Sequence, residues 1–488
     1  MLFFQKSNLL NILKITVLKK YNLQFSNGLF SFLLQKKTEI IPNFYNQKII
    51  QMNQSKNNYR TAFIFLTSLF FLWGFITVLV DSLIPRIRDL FTLTYFQAGL
   101  VQFAFFGAYF ILSIPAGFLL SKIGYKKGIV VGLITMALGC FLFYPAASFR
   151  EFNIFLLAYF ILAGGITVLQ VAANPYVAVL GSEAGAASRL NLSQAFNSLG
   201  TSIAPILGAS FLLSDKVKSS DEISELTATA REAYLVTEAT AVQTPFMVIT
   251  SFIILLALVF VFVKLPKMLS SAPKGGYNLL FRKQSLLLGA LGIFIYVGAE
   301  VAIGSYLVNY FYDMGLTAVV KQNETLASIA STLLGKDLEV VSDYGILGAF
   351  VTFYWSGAMI GRFVGSYLTK IIRPSRVLSY FAIGAVIMIL ISSQTLGIVS
   401  MVSILAVGLF NSIMFPTIFS LSLEGLDNLK PQASGILCTM IVGGAIIPPL
   451  YGYMTDLYGF KMALILLIGC YVYIVWYGFR QGKESIGV

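Results

Sequence analysis

Apolar runs of about twenty residues recur along positions 61–477, separated by short polar breaks. A helix of that length crosses the roughly 30 Å hydrocarbon layer of a bilayer. Twelve runs can be counted, centred near Trp73, Tyr109, Leu138, Ala163, Ile203, Ile254, Ile295, Tyr354, Val386, Leu409, Val442 and Leu467. The pattern predicts an all-α polytopic membrane protein with twelve transmembrane helices.

The runs repeat. GFLLSKI (117–123) recurs as GSYLTKI (365–371), after the second and eighth runs. QVAANP (170–175) in the fourth corresponds to NSIMFP (411–416) in the tenth. Gln170 then pairs with Asn411, Pro175 with Pro416, and Glu183 with Glu424. Gly200, Pro205 and Gly208 match Gly444, Pro449 and Gly452. Matches in one order, at nearly one offset, predict two six-helix halves related by duplication, as in transporters with parallel repeats. The expected layout is a basic extension over 1–58, a first half over 59–264, a linker over 265–284, a second half over 285–478 and a tail over 479–488.

Charge orients the chain. The stretch KLPKMLSSAPKGGYNLLFRK between the sixth and seventh runs has five basic residues and no acid. The breaks at 121–127 and 369–376, and the tail at 479–483, are also basic, whereas 214–243 and 313–344 hold most of the loop acids. Basic loops stay in the cytoplasm, so both termini are expected there. The first 51 residues have one acid, Glu39, and no small-residue cleavage site after an apolar core, so they do not read as a signal peptide. They read as an over-extended start ahead of Met52 or a disordered basic extension; an amphipathic interfacial helix near 9–18 is the alternative.

Composition narrows the function. Of 488 residues, 57% are hydrophobic and 11% charged, with mean hydropathy +0.81; soluble domains carry about 25% charged residues. The net charge of +13 therefore reads as membrane orientation, not nucleic-acid binding. The 3 cysteines, Cys140, Cys438 and Cys470, lie in apolar runs, and there is no histidine. A disulfide framework, a zinc site and a Ser–His or Cys–His catalytic set are thereby excluded, and any proton carrier must be Asp or Glu. No glycine loop with Lys-Ser/Thr cradles a phosphate. Neither an enzyme nor an ATP-driven pump is expected.

Candidate chemistry sits inside the runs. Asp81 lies near the end of TAFIFLTSLFFLWGFITVLVDSLIP (61–85). A carboxylate at mid-membrane depth costs about 3 kcal/mol, so it is read as a proton or ion carrier; the rival is that Asp81 reaches the outer headgroups beside Pro85 and Arg86. Gln170 and Asn174 are four apart and Gln194 and Asn197 three apart, so each pair shares a helix face. Amides both donate and accept, as a neutral polyol requires, but buried amides also tie membrane helices together. Glu300 is a second carboxylate in an apolar run, and Asn309 follows nine residues on; both face one cavity only if the helix breaks, near Gly304. Tyr354 and Trp355 are aromatic candidates for stacking on a ring or for packing. Lys122, Lys126 and Lys127, with Lys370, suit helix ends and gate contacts. Arg362 is deep for an arginine, and Glu424 or Asp427 is its expected partner.

Together these strings resemble the major facilitator superfamily, and most closely its fucose:proton symporter family, glucose/galactose branch. The resemblance rests on FFLWGFITVLVDSLIP, FTLTYFQAGLVQFAFFGAYF, IPAGFLLSKIGYKKGI, LQVAANPYVAVLG, RLNLSQAFNSLG, QTPFM, YVGAE and FPTIFSL, and it covers 59–477. It implies a cation-coupled hexose importer of a bacterial cytoplasmic membrane, working by alternating access as a monomer. The co-transported ion would be H⁺ or Na⁺, with no cofactor, nucleic acid or resident metal. Asp81 resembles the coupling acid of the first helix. Gln170 stands where the family has an acid in the fourth helix, and Glu300 where fucose symporters have an amide, so the two-acid scheme does not transfer intact. Ser121 replaces the acid of the family's general loop motif. The implied sugar site is Gln170, Asn174, Gln194, Asn197, Glu300, Asn309 and Asn411. Rival readings are an uncoupled facilitator or exporter of the same fold, and a non-transporting sugar sensor.

Overall fold

The computed structural model describes residues 59–80, 95–212, 226–268 and 276–484. Asp81 and residues 1–58 lie outside them. From Thr61 onward the chain forms one compact unit.

Long helices dominate it: α1 (Tyr59–Val80), α2 (Tyr95–Ile123), α3 (Tyr125–Phe149), α4 (Phe152–Val179), α5 (Ala186–Leu212), α6 (Ala228–Phe262), α7 (Gln284–Asp313), α8 (Asp343–Ile371), α9 (Pro374–Gln394), α10 (Gly397–Ser422), α11 (Asp427–Tyr458) and α12 (Phe460–Glu484). Each apolar run read from the sequence falls in one of them. Ten are long and apolar enough to cross a membrane. The two others, α5 and α8, are 27 and 29 residues long but more polar. They pack on each other. Ser188 Oγ of α5 donates to the Ser366 carbonyl of α8 at 2.7 Å, and Phe196 meets Phe363 edge-on. Polar side chains that lipid would reject are spent on this helix pair.

Small residues set the closest approaches. A Cβ on Gly139 of α3 would collide with the Leu162 backbone of α4, and one on Gly361 of α8 with Leu409 of α10. The α2–α11 contact uses the same device, with Gly117 against Pro431 and Gly435 against Ser113. Without a solvent-driven force between helices in lipid, such close van der Waals packing carries much of the association.

Two prolines shape the interior. Proline has no N–H, so the carbonyl four residues earlier loses its helical donor. Pro175 frees Val171 O, which accepts from Ser434 Oγ of α11 at 2.9 Å. Pro416 frees Ser412 O, and α10 breaks there into Gly397–Asn411 and Met414–Ser422. Ser412 O accepts from Arg362 Nε at 3.1 Å.

Two stretches expected as loops contain helix. The acidic stretch 313–344 holds helices Leu316–Gln322 and Glu324–Leu334. The second is capped by Asn323, whose Oδ1 accepts from Leu326 N at 3.0 Å. In 214–243, α6 already starts at Ala228, capped by Thr227.

Candidate functional site

Polar side chains from five helices converge beside the break in α10. Asn411 ends its first segment and is fully buried. Asn411 Nδ2 donates to Tyr354 OH of α8 at 2.7 Å, while Oδ1 has no partner. Glu300 of α7 is half-buried, with Oε1 sealed and unpartnered. Tyr296, one turn earlier on the same face, turns its buried hydroxyl toward Glu300, and Tyr471 of α12 turns its own toward Asn411, neither at full hydrogen-bond geometry. The charge of Glu300 acts on Tyr296, Tyr354 and Tyr471. Arg362 is the positive group acting on Glu300. Its guanidinium donates to Ser412 O and, through Nη1, to Ser198 Oγ of α5.

Arg362 was expected to pair with Glu424 or Asp427. It does not, because the carbonyl released by Pro416 and the Ser198 hydroxyl lie within reach at its own depth. Glu424 instead sits with Glu183 and Lys430, where the α4–α5 and α10–α11 connections meet. Glu183 Oε1 lies 3.1 Å from Lys430 Nζ and accepts from Gly425 N at 3.1 Å. Loss of water there raises the Glu183 carboxyl, but the Lys430 and Gly425 hydrogen bonds outweigh it, so the group sits below its usual range. Glu424 has no such donors. Loss of water, then repulsion from Glu183, pushes it up to about 7 despite the opposing Lys430.

A second polar group lies on α4. Gln170 is half-buried, and its Nε2 donates to Tyr109 OH of α2 at 2.8 Å. Asn174, one turn on, is fully buried, and neither amide atom has a partner. Buried polar groups are nearly always satisfied. An amide held without partners in a packed helix is therefore a marked position.

The remaining candidates divide. Gln194 is buried on α5. Asn197 donates to Phe70 O of α1 at 2.9 Å, the helix-tie reading of that amide. Asn309 is exposed, and α7 runs unbroken through Gly304, so it does not share Glu300's side of the helix. Lys126 Nζ donates to Val261 O at the end of α6, at 2.8 Å. Lys122 is exposed over the Phe118 ring, 4.1 Å from its centre; Lys127 and Lys370 are exposed. Sequence reasoning passed over Tyr296, Tyr471, Tyr109 and Ser198. Tyr296 was detectable from its spacing of four to Glu300; the others carried no local signal.

Known proteins share this architecture. The family model of the Major Facilitator Superfamily matches residues 61–441. A glucose/galactose transporter of Brucella abortus biovar 1 (strain 9-941) is 45% identical over 444 residues, covering 90% of this chain and 98% of that protein. The L-fucose-proton symporter of Escherichia coli (strain K12) is 37% identical over 413 residues, covering 82% and 88%. The crystal structure of the transporter FucP in the outward conformation superposes with a TM-score of 0.78 at 34% identity, covering 87% of this chain and 99% of that one. Matches of this length and identity, together with the helical architecture, make the chain a multi-pass membrane transporter and not an enzyme: it belongs to the Major Facilitator Superfamily, in its fucose:proton symporter family.

Proposed function

We propose that this protein imports a hexose of the glucose/galactose class by symport with a cation, H⁺ or Na⁺, through alternating access. The observation that carries the reading is the cluster of buried polar groups on Tyr296, Glu300, Asn411 and Tyr471, whose hydrogen bonds to one another are incomplete, and, across from them in sequence, the unpartnered amide of Asn174. Sugar hydroxyls both donate and accept, and such groups would match them. The relatives, a glucose/galactose transporter and an L-fucose-proton symporter, support the same substrate class.

In this reading Glu300 and Arg362 form a charged wall. The carboxyl group meets the sugar's hydroxyls, and the arginine is the positive group that acts on it. Gln170, Asn174, Gln194 and Asn411 hold the sugar, while Asn197 ties α5 to α1. Asp81 takes up H⁺ or helps hold Na⁺, since the chain has no histidine to do so. The basic loops orient both termini to the cytoplasm of a bacterial inner membrane. The Glu183–Lys430 pair and the Ser188–Ser366 contact lie at the same end of the bundle as those basic loops. They suit a state closed inside and loaded from outside, with the two repeats, 59–264 and 285–478, rocking about the site.

Proteoliposome uptake tests this. Glucose, galactose and fucose are offered under an imposed pH gradient or an imposed Na⁺ gradient, separately. Wild type should accumulate a hexose with one gradient only. Asp81→Asn should lose accumulation but keep counterflow exchange. Accumulation without either gradient would point to an uncoupled facilitator, and undiminished accumulation by Asp81→Asn would remove that residue from coupling.

A further inference from the structure

Small residues on two neighbouring helices leave a hollow on the lipid-facing side of the bundle. Ala137 of α3 and Ala257 of α6 are buried at its floor. Larger side chains, among them Val130, Ile134, Phe141, Ile254, Leu258 and Val261, stand around it. The groove encloses about 460 Å³, and Ile134, Phe141, Ile254 and Leu258 are exposed on its walls. Thr250 lies in the lining too, but its hydroxyl is spent on Phe246 O at 2.8 Å. The interior is thus apolar and chain-like. Val130 and Phe141 lie eleven residues apart, about 16 Å along a helix. That is close to one leaflet of a hydrocarbon layer about 30 Å thick.

One end of the groove is strongly basic. Lys126 sits one turn before Val130, on the same side of α3, and its Nζ donates to the carbonyl of Val261 at 2.8 Å. One N–H is used there, and two remain for an anion. Lys127, next to it in the first turn of α3, and Lys264 and Lys267, just past the end of α6, are exposed. The segment carrying the last two is anchored, since Tyr176 OH of α4 donates to Pro266 O at 2.7 Å. No acid occurs in 121–130 or 261–268. The positive end of the α3 dipole points the same way.

We propose that this groove is a binding site for one anionic phospholipid of the cytoplasmic leaflet, with an acyl chain along α3 and α6 and the headgroup phosphate among Lys126, Lys127, Lys264 and Lys267. An apolar trough of leaflet length explains the chain, and four lysines without a counter-acid explain the headgroup charge. All lining residues belong to α3 and α6, so the lipid would sit apart from the polar cluster on α7, α8 and α10.

A tryptophan reporter reads this in the full chain. Leu258→Trp places an indole on the exposed wall, in bilayers of phosphatidylcholine containing phosphatidylglycerol with brominated chains. Each lysine near a phosphate contributes about fivefold in affinity. Quenching should therefore show phosphatidylglycerol preferred over brominated phosphatidylcholine by at least about fivefold. Adding Lys127→Gln, Lys264→Gln and Lys267→Gln should lower the ratio severalfold, and about 0.5 M salt should lower it further in the reporter chain than in that variant. Equal quenching by both lipids, or a preference undiminished by the three substitutions, overturns the proposal. So does loss of the preference on adding soluble glycerol phosphate, which would mean an anion site without a chain groove.

Discussion

Replacing Arg362 with Met should destabilise the protein by about 2–6 kcal/mol, the cost of leaving its two hydrogen-bond partners unsatisfied. Part of that loss should return when Glu300 is replaced with Gln in the same chain. The Ser412 carbonyl has no helical donor because Pro416 follows four residues later, so Arg362 Nε is its partner at 3.1 Å. Ser198 Oγ accepts from the same guanidinium. Methionine fills the stem's volume and donates nothing, and each partner left unsatisfied costs about 1–3 kcal/mol. The half-buried Glu300 also loses the positive group that acts on it. Glu300→Gln removes that charge, so the double variant should be at least about 1 kcal/mol less destabilised than the two single losses combined. Arg362→Lys should fall between, because a single ammonium cannot span both partners as a planar fork does. The assay is denaturant unfolding of the purified protein in detergent, with wild type, both singles and the double compared at one slope. Additivity within about 0.5 kcal/mol would refute the electrostatic link between α7 and α8.

Three further outcomes are expected. Asn174→Leu removes no hydrogen bond, since neither amide atom has a partner; its melting temperature should hold or rise, while the half-saturation concentration for sugar rises about tenfold, the worth of one polar contact near 1.4 kcal/mol. Unchanged half-saturation would take Asn174 out of the site. Asn197→Leu should do the reverse, losing about 1 kcal/mol with its bond to Phe70 O and leaving sugar affinity as it was; a shift in affinity at full stability would reverse that assignment. Glu424 has its carboxyl pushed up to about 7 from an ordinary 4.5. Its contact with Glu183 is therefore firmest at low pH and weakens as pH rises toward and through about 7. Solvent at its exposed edge screens the effect to about 1 kcal/mol or less. Melting temperature followed from pH 5 to 8 should fall less in Glu424→Gln than in wild type, and parallel curves would sink the idea.

Much of the fold was legible because one physical length, the bilayer's, is written into every apolar run. A strict hydropathy threshold drops α5 and α8, whose polar residues are hidden by packing on each other; counting apolar runs by length, centred on Ile203 and Tyr354, keeps both. The helices within 313–344 were readable in principle from the Asn323 cap ahead of Glu324. The site was half legible. Depth along a helix can be read from the sequence, so Glu300, Asn411 and Arg362 stood out. Azimuth between helices cannot, so Arg362 reads as a partner of Glu424 or Asp427, whereas Ser412 O and Ser198 Oγ take its donors. Tyr471 reaches Asn411 and Glu300 from the last helix, a convergence that no local pattern encodes.

The repeats answered the same proline in different ways. Val171 O is caught by a neutral hydroxyl, Ser434, and Ser412 O by a cation, Arg362. Three residues ahead of its glycine, the first repeat has Ile114 where the second has Arg362. Two identical six-helix chains assembled as a symmetric dimer could not make that distinction: an arginine in one would be an arginine in both, and two cations would face each other across the axis. Fusion into a single chain removes the constraint. The guanidinium on one side only is an asymmetry that two identical copies could not hold.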